Sequence, residues 1–377
     1  MGRIAELIAV LATLGLLGCG AAPAESPFGP IPSPTLDPPS LEPPPPLSRP
    51  LPAAPAVLIK DATLLTASRH RPRIDRGWIR LRKGFIAEIG EGDAPEPARG
   101  ERVVDARGHF VTPGIIDTHS HMGVHPQPSV WAHADVNEAT KPITAALEAE
   151  DGIWPQDPAF EQALAGGVTT VQILPGSANL MGGRSAVLKL HPRREVAAMR
   201  FPGAPPGIKM ACGENPKRVY GKGKKAMPAS RMGSLFLMRE AFAQARRYKF
   251  EWERWHHEQA HGGKLKGEPP PKRDLTLETL AGVLAGRILV HIHCYRADEM
   301  LQQLELAREF GYRVRSFHHA VEAYKIRDIL AREGVSVSTW ADWYGFKLEA
   351  WDGIEQTLPL LTEAGARGIL HTDSPEG

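Results

Sequence analysis

Histidine and acidic residues stand at the ends of short apolar segments in this 377-residue sequence. The first such segment ends in Asp117, His119 and His121. Residues two apart on a strand face the same way, so His119 and His121 would point together. A pair of imidazoles on one face is a natural set of metal ligands, so this spacing predicts metal binding.

Ligand-type residues also end three later apolar segments. In chain order these residues are His291 and His293, then His318 and His319, then His371 and Asp373. Four strand ends with such residues form a more specific pattern than the first pair alone. Imidazole and carboxylate ligands suit Zn, Mn, Fe or Ni, so the residue types leave the identity of the metal open.

The elements that would position these residues are strands that alternate with helices after Thr112. The pattern predicts a parallel sheet covered by helices. The predicted strands span residues 114–117, 168–174, 208–212, 288–292, 313–317, 335–338 and 368–371. If the sheet closes into a barrel, the carboxyl ends of its strands meet on one face, where catalysis takes place in such folds.

Two segments between the predicted strands are candidates for substrate contact. Residues 177–184 are expected to form a loop on the catalytic face, where Arg184 could bind a carboxylate; a glycine turn with a surface arginine is the alternative. Residues 214–271 form an insertion whose core, 234–261, is predicted to be a helix. Its basic cluster at 217–225 is expected to be a solvated loop rather than an anion site.

The first 112 residues carry different signals. Residues 1–19 contain an apolar run that ends in Leu-Leu-Gly-Cys, which resembles a bacterial lipoprotein signal peptide with lipid on Cys19; an ordinary signal peptide is the alternative. Residues 20–55 are rich in proline and predict an extended spacer. Residues 56–112 predict a small β domain. We therefore expect an exported protein, anchored to a bacterial membrane at the periplasm or cell surface.

Composition narrows the possible classes further. The formal net charge is only +2, so nothing in the whole molecule favours nucleic acid as a partner. The apolar run at 8–17 is too short to span a hydrocarbon core of ~30 Å. Cys212 and Cys294 are expected to be small buried residues on strands, with a disulfide between them as the alternative.

From about Val57 to its end, the sequence resembles the amidohydrolase superfamily, in particular its imidazolonepropionase-like members. The most specific stretches are 111–121, 166–171 and 371–374. The resemblance implies a (β/α)₈ TIM-type barrel over 113–377 and a small N-terminal β-sandwich domain that includes 56–112. It also implies a hydrolase that cleaves an amide or cyclic-amide C–N bond, in a small-molecule or peptide-like substrate, with metal-activated water.

The resemblance assigns roles to the histidines. His119 and His121 would bind a first divalent metal, with zinc as the expected ion, and His293 and His319 would bind a second if there are two. Neighbouring strand residues face opposite ways, so only one of His318 and His319 is expected to face the metals. The motif at 319–322 selects His319, and His291 is expected to pack behind the site.

The remaining roles fall to acidic residues and one lysine. Asp373 would be a metal ligand and the general base that takes a proton from water and returns it to the leaving nitrogen. Lys209 resembles the carboxylated lysine that bridges two metals in some members. Glu214, just past that strand, is the rival ligand, and a third possibility is that neither residue binds metal.

Two other functions stay open on the sequence alone. One is a mononuclear deaminase or imidazolone-type ring hydrolase that uses His119, His121, His293 and Asp373. The other is a non-catalytic, lipid-anchored binding protein.

A complete member of the superfamily continues past the position of Gly377 with an eighth helix and with strands that return to the β domain. The ends of the barrel and of the sandwich are therefore expected to be truncated.

Overall fold

The computed structural model describes Pro46, residues 54–191 and residues 193–373. The expected signal peptide with Cys19 lies outside these residues, as does the expected spacer apart from Pro46, Ala54 and Pro55. Within the described ranges, no helix combines the length and the apolar character that crossing a membrane requires.

The N-terminal strands form one five-stranded sheet. They are β1 (Val57–Leu65), β2 (Arg73–Arg82), β3 (Phe85–Glu91), β4 (Arg102–Asp105) and β5 (Phe110–Val111), in the order β3-β2-β1-β4 with β5 beside β1. Alternate side chains such as Leu64 and Ile74 are buried in a small apolar cluster. The predicted strands are therefore present. A sandwich requires a second sheet, which is not among the described residues, so the sandwich stays a prediction.

Eight further strands form a nearly closed barrel in chain order. They are β6 (Ile115–Ser120), β7 (Val168–Ile173), β8 (Met181–Lys189), β9 (Gly207–Ala211), β10 (Leu289–Cys294), β11 (Val314–His319), β12 (Ser336–Thr339) and β13 (Arg367–Leu370). Seven of them match the predicted strands. The eighth, β8, runs antiparallel to both of its neighbours, so the regular eightfold parallel repeat that we expected is wrong at this position.

The strand β8 begins inside the segment 177–184 that was predicted to be a loop, so residues 177–180 lie outside the regular elements and residues 181–184 are strand. Its glycines gave the appearance of a turn, yet they permit a close approach between backbones instead. A Cβ on Gly183 would lie 2.6 Å from the carbonyl oxygen of Leu147. The arginine of this segment, Arg184, stands on the strand and forms an ion pair with Glu148. The expected loop is therefore wrong over residues 181–184, and Arg184 already has a carboxylate partner.

Helices cover the outside of the barrel. They are α1 (Ala149–Gly152), α2 (Pro158–Ala165), α3 (Glu214–Lys217), α4 (Arg231–His261), α5 (Leu275–Leu284), α6 (Ala297–Phe310), α7 (Arg327–Glu333) and α8 (Thr357–Glu363). Short 3₁₀ segments span Trp131–His133, Val196–Met199, Ala323–Ile326 and Leu348–Ala350. The helix predicted at 234–261 is confirmed as α4, which begins earlier because the Ser230 side chain accepts a hydrogen bond from the Gly233 amide.

The basic cluster of the insertion is helical rather than a loop. It lies in α3 and in a π-helical turn over Arg218–Gly223, so the expected loop is wrong. Its side chains at Arg218, Lys222 and Lys225 are exposed, as expected of a solvated cluster. The main apolar core lies elsewhere, between β9–β12 and helices α4–α8, and contains buried residues such as Phe242 and Phe317.

Cys212 and Cys294 form a disulfide, with Cα atoms 5.2 Å apart. The favoured expectation of two unpaired buried thiols is therefore wrong. The reason is the register of β9 and β10, in which Ala211 pairs with His293. The next residue on each strand is a cysteine, so the two side chains meet at the carboxyl ends of adjacent strands.

Candidate metal centre

The carboxyl ends of β6, β11 and β13 bring four histidines together, three of them around the buried ring of His119. The ring centroid of His119 lies 4.7 Å from His319, 5.1 Å from His121 and 5.1 Å from His371. Asp373, two residues after His371, points at the same place. Its Oδ1 lies 3.2 Å from His119 Nε2 and 3.4 Å from His121 Nε2.

Two groups of three residues could hold a metal ion, and His119 belongs to both. One group is His119, His121 and Asp373, and the other is His119, His319 and His371. In each group the ligand atoms lie within 4.8 Å of one another. His371 was noted at the end of a predicted strand but was not predicted to bind metal. Its spacing could have indicated that role, because His371 and Asp373 are two residues apart, as are His119 and His121.

Several ligand atoms of this cluster have no hydrogen-bond partner among the described residues. They are His319 Nδ1, both ring nitrogens of His371 and Asp373 Oδ1. A buried polar atom without a partner costs about 1–3 kcal/mol, so such atoms rarely gather at one point without a purpose. Imidazole nitrogens and carboxylate oxygens are ligands for divalent cations. The donor set therefore fits a divalent metal.

Second contacts orient two of the rings towards the cluster. His121 Nδ1 donates to the carbonyl oxygen of Leu174 at 2.7 Å, which leaves Nε2 with its lone pair facing Asp373. A backbone carbonyl behind a metal-binding histidine fixes the tautomer of the ring. Trp340 stacks on His319 with ring centroids 4.4 Å apart, and its Nε1 donates to the carbonyl oxygen of Thr372 at 2.8 Å.

Lys209 reaches the cluster, whereas Glu214 does not. The Lys209 side chain is fully buried on β9, with Nζ 3.3 Å from His119 Nε2 and 3.2 Å from the carbonyl oxygen of Pro175. Glu214 begins α3, and its carboxylate lies 3.6 Å from Lys347 Nζ. Of the two rival bridging ligands, Lys209 is the one that lies against His119, and the bridging role itself stays a prediction.

His293 lies beside the cluster but outside both groups of three. Its ring centroid is 4.6 Å from that of His319. Its Nε2 accepts a hydrogen bond from the side-chain amide of Asn215 at 3.4 Å. A second ion would need this nitrogen, so its assignment as a ligand stays a prediction.

His318 and His319 do not face opposite ways as strand alternation predicts, yet of the two only His319 belongs to a group that could hold a metal ion. His318 and His319 both lie 4.7 Å from the His119 ring, measured between centroids. The reason is that β11 ends here: His319 has φ 69°, in the left-handed region, so the alternation breaks at this residue. His318 approaches from behind, through a 2.8 Å contact between the two Nδ1 atoms.

Burial sets the charge state of the cluster. It lowers the pKa of His121 and His371 to about 3 and that of His119 and His319 well below the ordinary value, so these imidazoles are neutral and able to bind metal. Burial also lowers the pKa of the Lys209 ammonium to about 8, which increases the fraction of free amine near neutral pH.

The carboxyl group of Asp373 responds in the opposite direction. Burial raises its pKa, and the nearby Lys209 opposes that effect. Burial also raises the pKa of Asp117 to about 6, although the amide of His119 donates a hydrogen bond to its carboxylate. Without a cation, this site therefore disfavours charge on its acids as well as on its histidines.

A cavity of about 230 Å³ opens next to the cluster. It is lined by His121, His125, Val136, Asn137, Gly176 and Ser177. The cavity lies on the side of His121, so a bound molecule there would lie next to the predicted metal ligands. Two of its lining residues belong to segments that the sequence singled out: His121 is a predicted ligand, and Ser177 begins the segment predicted to contact substrate.

Comparisons with known proteins agree with this geometry. A crystal structure of an amidohydrolase from Thermotoga maritima is 35% identical, with a TM-score of 0.75 over 85% of this chain and 79% of that one. An amidohydrolase named tasK from Hapsidospora irregularis is 33% identical over 84% of this chain. The matched region covers 35% of the length of that protein. An imidazolonepropionase from Treponema denticola is 42% identical over 48 residues, 12% of each protein. No family model matches the chain.

A nearly closed barrel with histidines and an aspartate at the carboxyl ends of its strands is typical of metal-dependent hydrolases. The sequence identity to the Thermotoga maritima amidohydrolase, over most of both chains, shows the family. The chain belongs to the amidohydrolase superfamily and is a hydrolase. The expected resemblance is thereby confirmed.

Proposed function

We propose that this protein is a metal-dependent hydrolase that cleaves an amide or cyclic-amide C–N bond in a small-molecule or peptide-like substrate. The supporting observation is the convergence of unpartnered ligand atoms from His319, His371 and Asp373 beside His119. Amide hydrolysis needs an activated water molecule and a group that carries a proton to the leaving nitrogen. The cluster contains residues suited to both tasks.

The metal-holding residues in this proposal are His119, His121, His319 and Asp373, with His371 added by the structure. His293 would complete a second site. A divalent cation bound here would lower the pKa of a water molecule and polarise the substrate carbonyl. Zinc suits nitrogen and oxygen ligands, as do Mn, Fe and Ni.

Asp373 would move the proton. Its Oδ1 faces His119 and His121 and has no hydrogen-bond partner in the described part of the chain. A nearby cation favours the carboxylate form, which can accept a proton from water. The protonated carboxyl group can then donate that proton to the leaving nitrogen.

Lys209 would bridge two ions as a carbamate. Its Nζ, as a free amine, forms a bond to the carbon of CO₂ and releases a proton, which creates two oxygen ligands. Its complete burial and the lowered pKa of its ammonium favour the amine form that this reaction needs.

The proposal is tested by metal analysis together with a substrate screen on the intact protein. Dipeptides, N-acyl amino acids and cyclic amides form the panel, and activity should disappear on chelation and return with added metal. Asp373→Asn should lower kcat by about 10²–10⁴-fold or more, as is typical for loss of a general acid–base group. It should retain more metal than His119→Ala. Near-normal kcat for Asp373→Asn with metal retained would remove it from the mechanism.

The second candidate is a mononuclear deaminase or imidazolone-type ring hydrolase. A 5-methylthioadenosine/S-adenosylhomocysteine deaminase from Halalkalibacterium halodurans is 32% identical over 68 residues, which favours this alternative. Stoichiometry separates the two candidates, because one ion per chain fits this reaction and two fit the bridged site. Metal-dependent turnover of either kind would exclude the non-catalytic binding protein.

We further propose that the protein is exported and anchored to a bacterial membrane by lipid on Cys19. The Cys212–Cys294 disulfide supports export, because disulfides persist mainly in oxidising compartments. Mass spectrometry of the protein from its native host should find a lipid-modified N-terminal cysteine. A soluble protein cleaved at another position would refute the anchor.

A further inference from the structure

A chain of hydrogen-bonded rings leads away from the metal-facing cluster into the barrel. His119 Nδ1 lies 2.8 Å from His318 Nδ1, and His318 Nε2 lies 3.0 Å from His291 Nδ1. His119 and His318 are fully buried, and His291 is 7% exposed. The mechanism proposed above uses neither His318 nor His291.

The chain ends on a side-chain amide. The side-chain amide nitrogen of Gln172, on β7, lies 3.2 Å from His291 Nε2 and 3.2 Å from the Ser185 hydroxyl. Gly207 leaves room for this contact, since a Cβ there would lie 2.6 Å from Ser185 Oγ. His119, His318 and His291 thus form a buried, hydrogen-bonded row of imidazoles, the histidine row, which ends on the Gln172 amide.

Each neutral imidazole in this row donates from one nitrogen and accepts at the other, so the whole row has only two directions. In one direction His119 donates from Nδ1, and its Nε2 has a lone pair, which faces Lys209 Nζ at 3.3 Å. In the other direction His119 accepts at Nδ1 and carries its proton on Nε2. Nε2 is the nitrogen that faces Asp373, and only its unprotonated form can bind a metal.

His121 provides an instructive contrast. Its Nδ1 meets the carbonyl oxygen of Leu174, which can only accept, so the tautomer of His121 is fixed by its immediate neighbour. The neighbour of His119 is another imidazole, which can donate or accept. Lys209 Nζ and Asp373 Oδ1 contact His119 at Nε2. On the Nδ1 side, the direction is set at the far end of the row, where His291 Nε2 either donates to the Gln172 amide oxygen or accepts from its nitrogen.

We propose that Gln172 is a positioning residue for the metal site, because its amide sets the direction of the histidine row that ends on His119. A metal on His119 requires Gln172 to present its oxygen to His291, which is the reverse of the amide orientation in this structure, where the nitrogen faces His291. A half-turn of the amide presents either atom, and the Ser185 hydroxyl accommodates both because it can donate or accept. This inference rests on the proposed metal site.

The test compares two variants of similar side-chain length, Gln172→Glu and Gln172→Met. An ionised glutamate can only accept a hydrogen bond from His291, so it enforces the direction in which His119 donates from Nδ1. The Zn²⁺ affinity of Gln172→Glu should therefore stay close to that of the wild type. Methionine removes the strong acceptor, and Zn²⁺ affinity should fall by about 10–100-fold, the usual effect of losing an outer-shell partner. Affinity is measured by chelator competition without substrate, and thermal melts of the metal-free variants check folding.

A second pair of variants probes the middle of the row. His318→Asn keeps an acceptor near His119 Nδ1 and should retain more Zn²⁺ affinity than His318→Leu. Imidazole ¹⁵N spectra of the Zn²⁺-loaded protein should show protons on His119 Nδ1, His318 Nε2 and His291 Nε2. This is a readout that a purely structural role would not predict.

The outcomes separate the inference from its premise. Wild-type protein that binds no Zn²⁺ would refute the proposed metal site and this inference together. Wild-type protein that binds Zn²⁺, with equal affinity in Gln172→Met, would refute the inference alone. A proton on His318 Nδ1 in the loaded protein would do the same.

Discussion

The Cys212–Cys294 disulfide gives a quantitative prediction about stability. The bond closes a loop with a sequence separation of 82 residues. In the chain-entropy model, cross-linking a loop of this length stabilises the folded state by about 4.5 kcal/mol at 25 °C, because it restricts the unfolded chain. Both cysteines are buried at adjacent strand ends, so the folded state needs no rearrangement to hold the bond.

Reduction of the intact protein should therefore lower its free energy of unfolding by about 2–5 kcal/mol, the usual range for a native disulfide. Urea unfolding curves with and without a thiol reductant measure the change. The double variant Cys212→Ala, Cys294→Ala is the matched control. It lacks the bond in both conditions, so its curve should not respond to the reductant.

A comparison under reducing conditions separates the cross-link from packing. The reduced wild type and the double variant both lack the bond, so the difference between them reports only the loss of two sulfur atoms from the core. A count of free thiols in the denatured, unreduced protein gives the decisive result. If both Cys212 and Cys294 react as thiols, the disulfide is absent and the reasoning fails.

Two further predictions concern the site. Lys209→Ala should lose metal, and short carboxylic acids with bicarbonate should partly restore activity; retention of metal in Lys209→Ala would refute the bridging role. Acid should destabilise the metal-free protein, because folded His121, His291 and His371 have pKa values of about 3, below the unfolded value near 6.5. The unfolded state then binds more protons below pH 6.5. For each of these histidines, the free energy of unfolding falls by up to about 1.4 kcal/mol per pH unit, until the pH reaches the pKa of the folded state. Urea unfolding midpoints at two pH values measure this loss of stability.

Much of the barrel could be predicted from sequence because parallel strands buried on both faces are short apolar runs. All seven predicted strands are present. The strand β8 could not be found in this way, because its start at Met181, Gly182 and Gly183 has the composition of a turn. Only the approach of the Leu147 carbonyl shows why glycine stands there.

The directions of the site's side chains could be predicted where strand alternation holds, but not where a strand ends. His119 and His121 follow the two-residue rule, and they lie together in the structure. His318 and His319 break it, because the left-handed backbone at His319 turns the chain. The disulfide depended on the register between two strands far apart in sequence, which no local pattern reveals.

The arrangement of the site indicates what stabilises it when no metal is bound. Its histidines are neutral, and burial disfavours charge on Asp373, so the metal-free cluster gains little from its own electrostatics. Its unpartnered atoms cost free energy that a bound cation would recover. Other parts of the fold must therefore stabilise the site in the absence of metal. The disulfide between the strands of Lys209 and His293, and the histidine row behind His119, are contacts that can do so without occupying a single metal-facing atom.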